Sequence, residues 1–574
     1  MAMFSLSALN TNAGMLFISA LFGWVIAIGS HPSWQVPVES AQVLAGIVTY
    51  PQDNPFYLYH VKLWTLINQF AALLLFAGIP EITASLLMEG VIGAITFSAI
   101  FLMVLSISNK PLVSLFTPLF MYVLNLAGIS IAYPIYLLGT SHSYGILGLS
   151  YTVLVVGLLG VGRYRTGAFL AGLAPAVHPS LGTFCVIISS CTVLLNLSTL
   201  RPELFRMSKS FALGVAATAA SLWWQSRYFA LGPDLDGAQK ERYITSFIAN
   251  FDYHRPLPGW NHEGLLVGIL ILVTAIRLMR IMDARVGAKI VAAAVASSVV
   301  VTVAVVALSD FVPFFCSLKI LIPWRYLNFA HICLVPLVFG FLAAASPNLP
   351  RLKALLLIVI PIVCFYWSRS GSINPMWFYG GLLLLILLLS IQWHLDIPEY
   401  IFGTLSRSLT WITASGCVVL ALSSVTPALR TLLSHGYALE DRSTIEIIRI
   451  ASGRPGILLT AGDMHLVQLM TRRPVLLDGG GLDFFCYVPE SGPRLNDIMR
   501  KVYGMDIFVS PPLQVRNGGV IPMIHQQLWE DRTVEEWRQL RREFGVTDIF
   551  TPIMWNLQLP RIAFGSGLAL YEIP

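Results

Sequence analysis

From residue 13 to residue 427 the chain returns again and again to the same feature, an apolar run long enough to cross a bilayer. Runs lie near 13–30, 62–79, 84–107, 143–162, 208–227, 264–282, 287–308, 328–346, 352–368, 376–394 and 408–427. At 1.5 Å per helical residue, such runs match a hydrocarbon core about 30 Å thick. Two more regions, 111–140 and 166–198, are apolar but interrupted by "AGISIAYP" and "LAPAVHPSLG". Composition agrees: 56% of residues are hydrophobic, 11% are charged, and mean hydropathy is +0.72. That excludes an ordinary water-soluble globule. The expected fold is an α-helical polytopic membrane protein with about 11–13 membrane helices, broken pairs included. The net charge of +6 carries no basic stripe for nucleic acid; in a membrane protein the excess belongs at cytoplasmic headgroups.

The start, "MAMFSLSALNTNAG", has no basic region, and the run from Met15 to Ile28 leads into "GSHPSW" without a small-residue cleavage pattern. It reads as a retained first helix. Five of the seven cysteines (Cys185, Cys191, Cys333, Cys364, Cys417) sit in apolar runs, so no disulfide framework or C-x-x-C metal site is indicated.

Orientation follows the basic residues. Arg277, Arg280, Arg285 and Lys289 share one short connection, which is therefore expected inside. That sets the 228–263 loop, the 309–327 loop and everything after residue 427 outside. Arg163, Arg165, Arg201 and Arg206 also fall inside if region 166–198 dips in and returns at the His178-Pro179 break. Residues 31–61 then lie outside. After residue 430 the apolar runs give way to short strands alternating with amphipathic helices, including "TVEEWRQLRREFGV" and "TDIFTPI". The division expected is 1–429 for the membrane domain and 430–574 for a small extracytoplasmic α/β domain.

The outer loops concentrate the unusual residues. "YPQDNPFYLYHVKLW", residues 50–64, combines an acid with prolines, aromatics, His60 and Lys62. An acid after the first helix, followed by aromatics and a helix start, suits the general base of a membrane transferase acting at headgroup level. Asp53 is the first candidate, although "QDNP" is also plain turn chemistry. Glu39 is the second. "DLD" at 234–236 is a short match to the D-x-D of soluble glycosyltransferases, but no nucleotide-binding pattern surrounds it. "DGGG" at 478–481 is a turn after a strand. H-E-x-x-H, Walker A and G-x-S-x-G patterns are absent from the sequence, and no cofactor is indicated; a divalent metal is compatible with the loops, but nothing requires one.

"TYPQDNPFYLYHVKLWTL", "GRYRTGAFLAGLAPAVHPSLG", "IPWRYLNF" and a tail reading "ILLTAGDMHLVQLMTRRPVLLD" to "ALYEIP" together resemble bacterial polytopic glycosyltransferases of the GT-C type. In that superfamily the first outer loop carries an essential acid, and many members end in a soluble outer domain. The adjacent acidic pair frequent in that loop is replaced here by Asp53-Asn54. The resemblance implies a GT-C-like bundle in the bacterial plasma membrane, a polyprenyl-phosphate sugar as donor and a hydroxyl of a lipid, glycan or protein as acceptor. The donor phosphate would call for cations, for which Arg325, Arg255, His254 and Lys62 are the outer-face candidates. Tyr57, Tyr59, His60, His178 and Trp324 are the expected cavity residues beside it. Arg325, between Trp324 and Tyr326, also fits an interfacial anchor.

Two other classes stay open. A transporter or flippase would use the broken helices for a midplane site, although acids are scarce within the membrane runs. A non-catalytic glycan-assembly protein would leave recognition to the outer domain.

Overall fold

The computed structural model describes residues 6–30, 32–123, 138, 143–229, 232–251, 262–281, 285–311, 320–344, 415–416, 418–431, 446–461, 466–477, 485–510 and 522–574. Helices lead: α1 (Leu6–Ser30), α2 (Val36–Leu44), α3 (Pro55–Lys62), α4 (Leu66–Phe76), α5 (Glu81–Ser108), α6 (Pro111–Val123), α7 (Ser143–Gly160) and α8 (Tyr164–Val177). There follow α9 (Pro179–Leu195), α10 (Leu197–Leu200), α11 (Leu204–Ser226), α12 (Gly237–Asn250), α13 (His262–Ile281), α14 (Val286–Phe311), α15 (Leu327–Ala344) and α16 (Val418–Thr431). Five stretches are long and apolar enough to cross a membrane: Asn12–Ser30, Glu81–Ser108, Ser143–Gly160, Val286–Ser309 and Pro323–Phe341. The pair α9 and α10–α11, bent by 86°, makes a sixth if counted as one span. By length and composition this is an integral membrane protein. The expected runs 352–368 and 376–394 lie outside the described residues, as do residues 408–414 and 417 of the run 408–427 and the second half of 111–140.

The bundle is built on α5, whose 28 residues extend about 42 Å. Lipid gives no hydrophobic drive between helices, so close backbone approach must supply the packing. At the α1–α5 crossing a Cβ on Gly23 would lie 2.2 Å from the Gly93 carbonyl oxygen, so both positions need glycine. Gly172 and Gly214 do the same for α8 and α11. Alongside α5, α7 is tied by Thr96 to Ser150 at 2.8 Å.

The two ends of the bundle differ in charge. Arg285 donates to the carbonyls of Ile107 and Ser108, and Gly287 abuts the Ser106 and Gly160 carbonyls. Tyr164 lies within electrostatic reach of Glu203. Lys110, Arg163, Arg165, Arg201, Arg206, Arg285 and Lys289 therefore flank one end, where α5 and α7 finish. At the other end of α5, Glu81 meets the carboxyl-terminal domain through Arg472.

One run departs from expectation. Residues 62–79 do not form a single span: α3 ends at Lys62, Thr65 caps a new helix by accepting from the Asn68 amide, and α4 lasts only 11 residues. At about 16 Å it cannot cross the core. Gly78, at φ +79°, and Pro80 stop it before α5 begins.

The tail folds into α17 (Glu446–Ser452), β1 (Ile457–Thr460), α18 (Val467–Thr471), α19 (Gly492–Tyr503), α20 (Pro522–Glu530), α21 (Val534–Phe544), β2 (Val546–Pro552), β3 (Arg561–Gly565) and β4 (Leu568–Glu572). The sheet order is β1-β2-β4-β3, with β1 parallel to β2 and the other pairs antiparallel. A Thr533–Glu536 capping box starts α21, and Gly545 at φ +71° ends it. Its core of Trp529, Trp537, Trp555, Phe485 and Ile549 is continuous with Val43, Val48, Tyr50, Phe56 and Val61 of the first loop and with Phe247 of α12. The first loop, the α12 loop and the tail thus share one hydrophobic core and lie on one side of the bundle.

Candidate functional site

The stretch that stood out in the sequence turns out to be a seat. Asn54 caps α3 by accepting from the Phe56 amide at 2.8 Å, and Pro55 opens the helix. Phe56 is buried, and Tyr57 and Tyr59 pack half-buried, against the core of the carboxyl-terminal domain. The Tyr50 hydroxyl donates to Gln468 Oε1 at 2.6 Å and accepts from the Val475 amide at 3.1 Å. Lys62 forms an ion pair with Glu490. The Asp53 side chain is 62% exposed and lies 3.0 Å from Arg494 Nη2. Asp53 and Lys62 are thus each paired with an opposite charge on the docked domain, at the seam where the loop holds that domain. "DLD" resolves similarly, with Asp236 forming a capping box with Gln239 at the start of α12.

Glu39 stands differently. It lies in the first turn of α2, buried, on a helix buried on nearly every side. Val36-Pro37 sets the helix start, since proline is tolerated in the first turn, and an acid there complements the helix dipole. Around Glu39 runs a chain of polar groups. Ser40 Oγ is 2.9 Å from His60 Nδ1, and the Tyr144 hydroxyl bonds Asn68 Oδ1 at 2.8 Å and lies close to both Ser40 and Glu39. Gln468 Nε2 donates to the Glu39 carbonyl at 2.8 Å. One turn before Glu39, Gln35 Nε2 donates to Glu89 Oε2 at 2.5 Å.

Arg325 forms the other half of the site. It sits in a 3-10 turn, Pro323–Tyr326, and its residue is only 7% exposed. Ile322, just before the turn, has φ +50°, a strained conformation for a β-branched residue and one that fixes how the turn leaves the chain. Arg325 Nη2 donates to Ser180 Oγ at 2.9 Å, and that oxygen is 2.7 Å from the Tyr326 hydroxyl. The Tyr326 ring stacks on Phe184 at 4.6 Å. Arg325 Nε is buried with no hydrogen-bond partner, and among the described residues no carboxylate forms an ion pair with this guanidinium. Trp324 is buried beside it. His178 caps α9, its Nδ1 accepting from the Leu181 amide at 3.2 Å, and lies within electrostatic reach of Arg325. The positive end of a 17-residue helix, capped by His178, and a buried guanidinium thus meet at Ser180.

The two halves are linked through α7. A Cβ on Gly148 would sit 3.0 Å from His178 Cβ, and Gly148 is one turn beyond Tyr144, which reaches Glu39. From Gly148 to Gly160, at the basic end of α7, is about 18 Å at 1.5 Å per residue. The arrangement thus sets Glu39 near Tyr144, and His178, beside Arg325, near Gly148 one turn further along α7. Of the other expected residues, His60 is buried in the α2–α3 seam, while His254 and Arg255 lie outside the described residues. Among the described residues no group of three or more His, Cys, Asp or Glu side chains is placed to hold a metal. Sequence reasoning missed Ser180, Tyr144, Gln468 and Arg472. The last two do carry a signal, an i, i+4 pair of polar residues in "VQLMTRRP" on an otherwise apolar turn.

Burial also sets an acid limit. His60 and His525 are each pushed down to about 3 chiefly by burial, with Arg532 adding to the effect at His525. Both are therefore neutral in the fold, whereas the unfolded chain protonates them below about 6.5. Between those values the unfolded state binds the extra proton, so each histidine lowers stability by about 1.4 kcal/mol per pH unit as pH falls. The loss stops near pH 3. Denaturant melts at pH 7 and 5 are expected to differ by about 2 kcal/mol per histidine. A His525→Phe protein should lose its share of that difference, and an unchanged pH slope would refute the assignment.

No protein-family model matches the chain, and no curated protein matches it either.

Proposed function

We propose that this protein is a membrane glycosyltransferase of the GT-C type that passes a sugar from a polyprenyl-phosphate donor to a hydroxyl acceptor. In this reading it works on the face that carries the carboxyl-terminal domain. The observation that carries the proposal is Arg325: a buried guanidinium with no carboxylate partner among the described residues, hydrogen-bonded to Ser180 at the start of α9. Burying an unpaired cation costs several kcal/mol, and a bound phosphate would offset that cost through charge-assisted hydrogen bonds. Gly148, which abuts His178 beside Arg325, lies about 18 Å along α7 from the basic end, and for a core about 30 Å thick this supports a site in the half nearer the docked domain. Basic residues favour the cytoplasmic face, so that domain is extracytoplasmic in this reading, and the membrane is the bacterial plasma membrane. Glu39 serves as the base that takes the acceptor proton, and the sugar lies between it and Arg325. Asp53 has no part in the chemistry.

The test is binding of farnesyl phosphate, a short isoprenoid monophosphate, to the full-length protein in detergent or nanodiscs. Arg325→Met is expected to weaken binding by about 30- to 100-fold, since charge-assisted hydrogen bonds to a phosphate contribute roughly 2–3 kcal/mol. Equal affinity in wild type and variant would reject the site.

A second reading rests on the break at His178-Pro179. A helix that starts inside the apolar core and aims its positive end at an anion site also suits a lipid-phosphate flippase. Proteoliposomes separate the two: a flippase moves labelled farnesyl phosphate between leaflets without consuming any sugar donor.

A further inference from the structure

The helix α18 has only five residues, yet both residues that flank it, Leu466 at φ +62° and Arg472 at φ +52°, hold left-handed backbone without being glycine. Such conformations persist where the surroundings over-determine them. What surrounds them here is the membrane domain. Gln468 is buried, with Nε2 donating to the Glu39 carbonyl at 2.8 Å and to Gln42 Oε1 at 3.3 Å, while Oε1 accepts from Tyr50. One turn on, Arg472 grips Glu81 with Nε at 2.8 Å and Nη2 at 2.7 Å. Gln42 donates in turn to Glu81 Oε1 and to the Leu469 carbonyl, both at 3.2 Å.

We infer that Gln468 is a positioning residue: the carboxyl-terminal domain, through α18, fixes the pitch of α2 against α5 and so sets where the Glu39 carboxylate points. Its consequence for chemistry rests on the reading of Glu39 given above; the mechanical claim does not. α2 is only 9 residues long and is joined to α1 by a short irregular segment, so its own hydrogen bonds cannot fix its angle. Its polar attachments include Gln35 to Glu89 at the lower end, Ser40 to His60 in the middle, and Gln42, with the Glu39 carbonyl, to α18 and Glu81 at the upper end. Removing Gln468 cuts the direct tie from the carboxyl-terminal domain to the Glu39 carbonyl, leaves the upper end held only by Gln42 through Glu81 and the Leu469 carbonyl, and leaves the bundle core intact. An obligatory docked domain would also mean that the acid is correctly aimed only when the outer domain is seated.

The experiment places spin labels on the full-length protein at Ile47, exposed just past α2, and at Gly162, exposed at the basic end, and measures their distance distribution by pulsed EPR. Melting midpoint and farnesyl phosphate affinity are read on the same samples. Wild type is expected to give one narrow distribution. Gln468→Ala is expected to broaden or split it while the melting midpoint stays within a few degrees and affinity for the phosphate changes less than about threefold. Should the alanine protein fail to fold, Gln468→Asn, which keeps an amide that no longer reaches, is read by the same criteria. An unchanged distribution overturns the inference. Broadening accompanied by a collapse of the melting midpoint or of phosphate affinity also overturns it, since that marks a general structural role. If wild type binds no farnesyl phosphate at all, the functional reading fails, and the distance distributions still decide the mechanical claim.

Discussion

Asp548→Ala is expected to lower the melting midpoint of the carboxyl-terminal domain by more than about 10 °C, because it strands a buried arginine. Asp548 is buried in β2, and its two carboxylate oxygens serve two arginines: Oδ1 accepts from Arg454 Nε and Oδ2 from Arg473 Nη2, each at 2.7 Å. The Thr547 hydroxyl donates to Oδ2 as well. The Arg473 side chain is 4% exposed and also donates to the Ala451, Pro455 and Gly456 carbonyls, pinning the turn before β1. Burial above all pulls Arg473 below the usual range of a guanidinium, and Asp548 is the group that opposes this. Without the carboxylate a buried cation is left uncompensated, at a cost of about 3–5 kcal/mol. In a domain of this size that corresponds to roughly 10–20 °C. Circular dichroism of the purified protein reads the transition. A double change, Asp548→Leu with Arg473→Met, is expected to recover most of the loss, because removing both charges of a buried pair is often near neutral. A single Asp548→Ala protein that melts within about 2 °C of wild type would show that the arginines are satisfied by carbonyls alone.

Glu39→Gln is expected to reduce sugar transfer by about 10²–10⁴, the contribution of a positioned general base, with folding and farnesyl phosphate binding preserved. The amide keeps the size and the hydrogen-bonding capacity of the side chain but cannot take a proton. Asp53→Asn, by contrast, is expected to change transfer less than about threefold. It removes one exposed ion pair with Arg494, and such pairs contribute about 0–1 kcal/mol. Both proteins are to be assayed in proteoliposomes with polyprenyl-phosphate sugars as donors. A large loss in Asp53→Asn with full activity in Glu39→Gln would move the base to the loop and dissolve the pairing of Glu39 with Arg325 proposed above.

The membrane character of the chain was legible because hydropathy is a local property, and α5, α7 and α14 fall where their apolar runs lie. In the tail a small domain of short strands and helices was legible, but not that its sheet is mixed and closed by the antiparallel β3–β4 pair. The run at 62–79 misled for a physical reason: hydropathy sums do not see that Thr65 restarts a helix, and so a half-length helix reads as a span. Asp53 illustrates a deeper limit. Its residue type and place after the first helix suit a base and a turn equally, and no window of sequence shows that it pairs with Arg494, more than 400 residues away. The Arg325 site is of the opposite kind. "PWRY" announced a cation among aromatics, and only the fold brings Ser180 and the α9 start to it.

The shared core of the first loop and the tail has a consequence in time. Val43, Val48, Tyr50, Phe56 and Val61 leave the ribosome almost 400 residues before Ile457, Leu459 and the tryptophans that cover them. At about 5–20 residues per second, synthesis alone leaves that apolar seat waiting roughly 20–80 s. A chain cut short before the tail would keep it bare for good. Ribosome stalling or a late nonsense codon should therefore yield a product inserted in the membrane yet sticky at one face, a target for quality-control proteases rather than a working fragment.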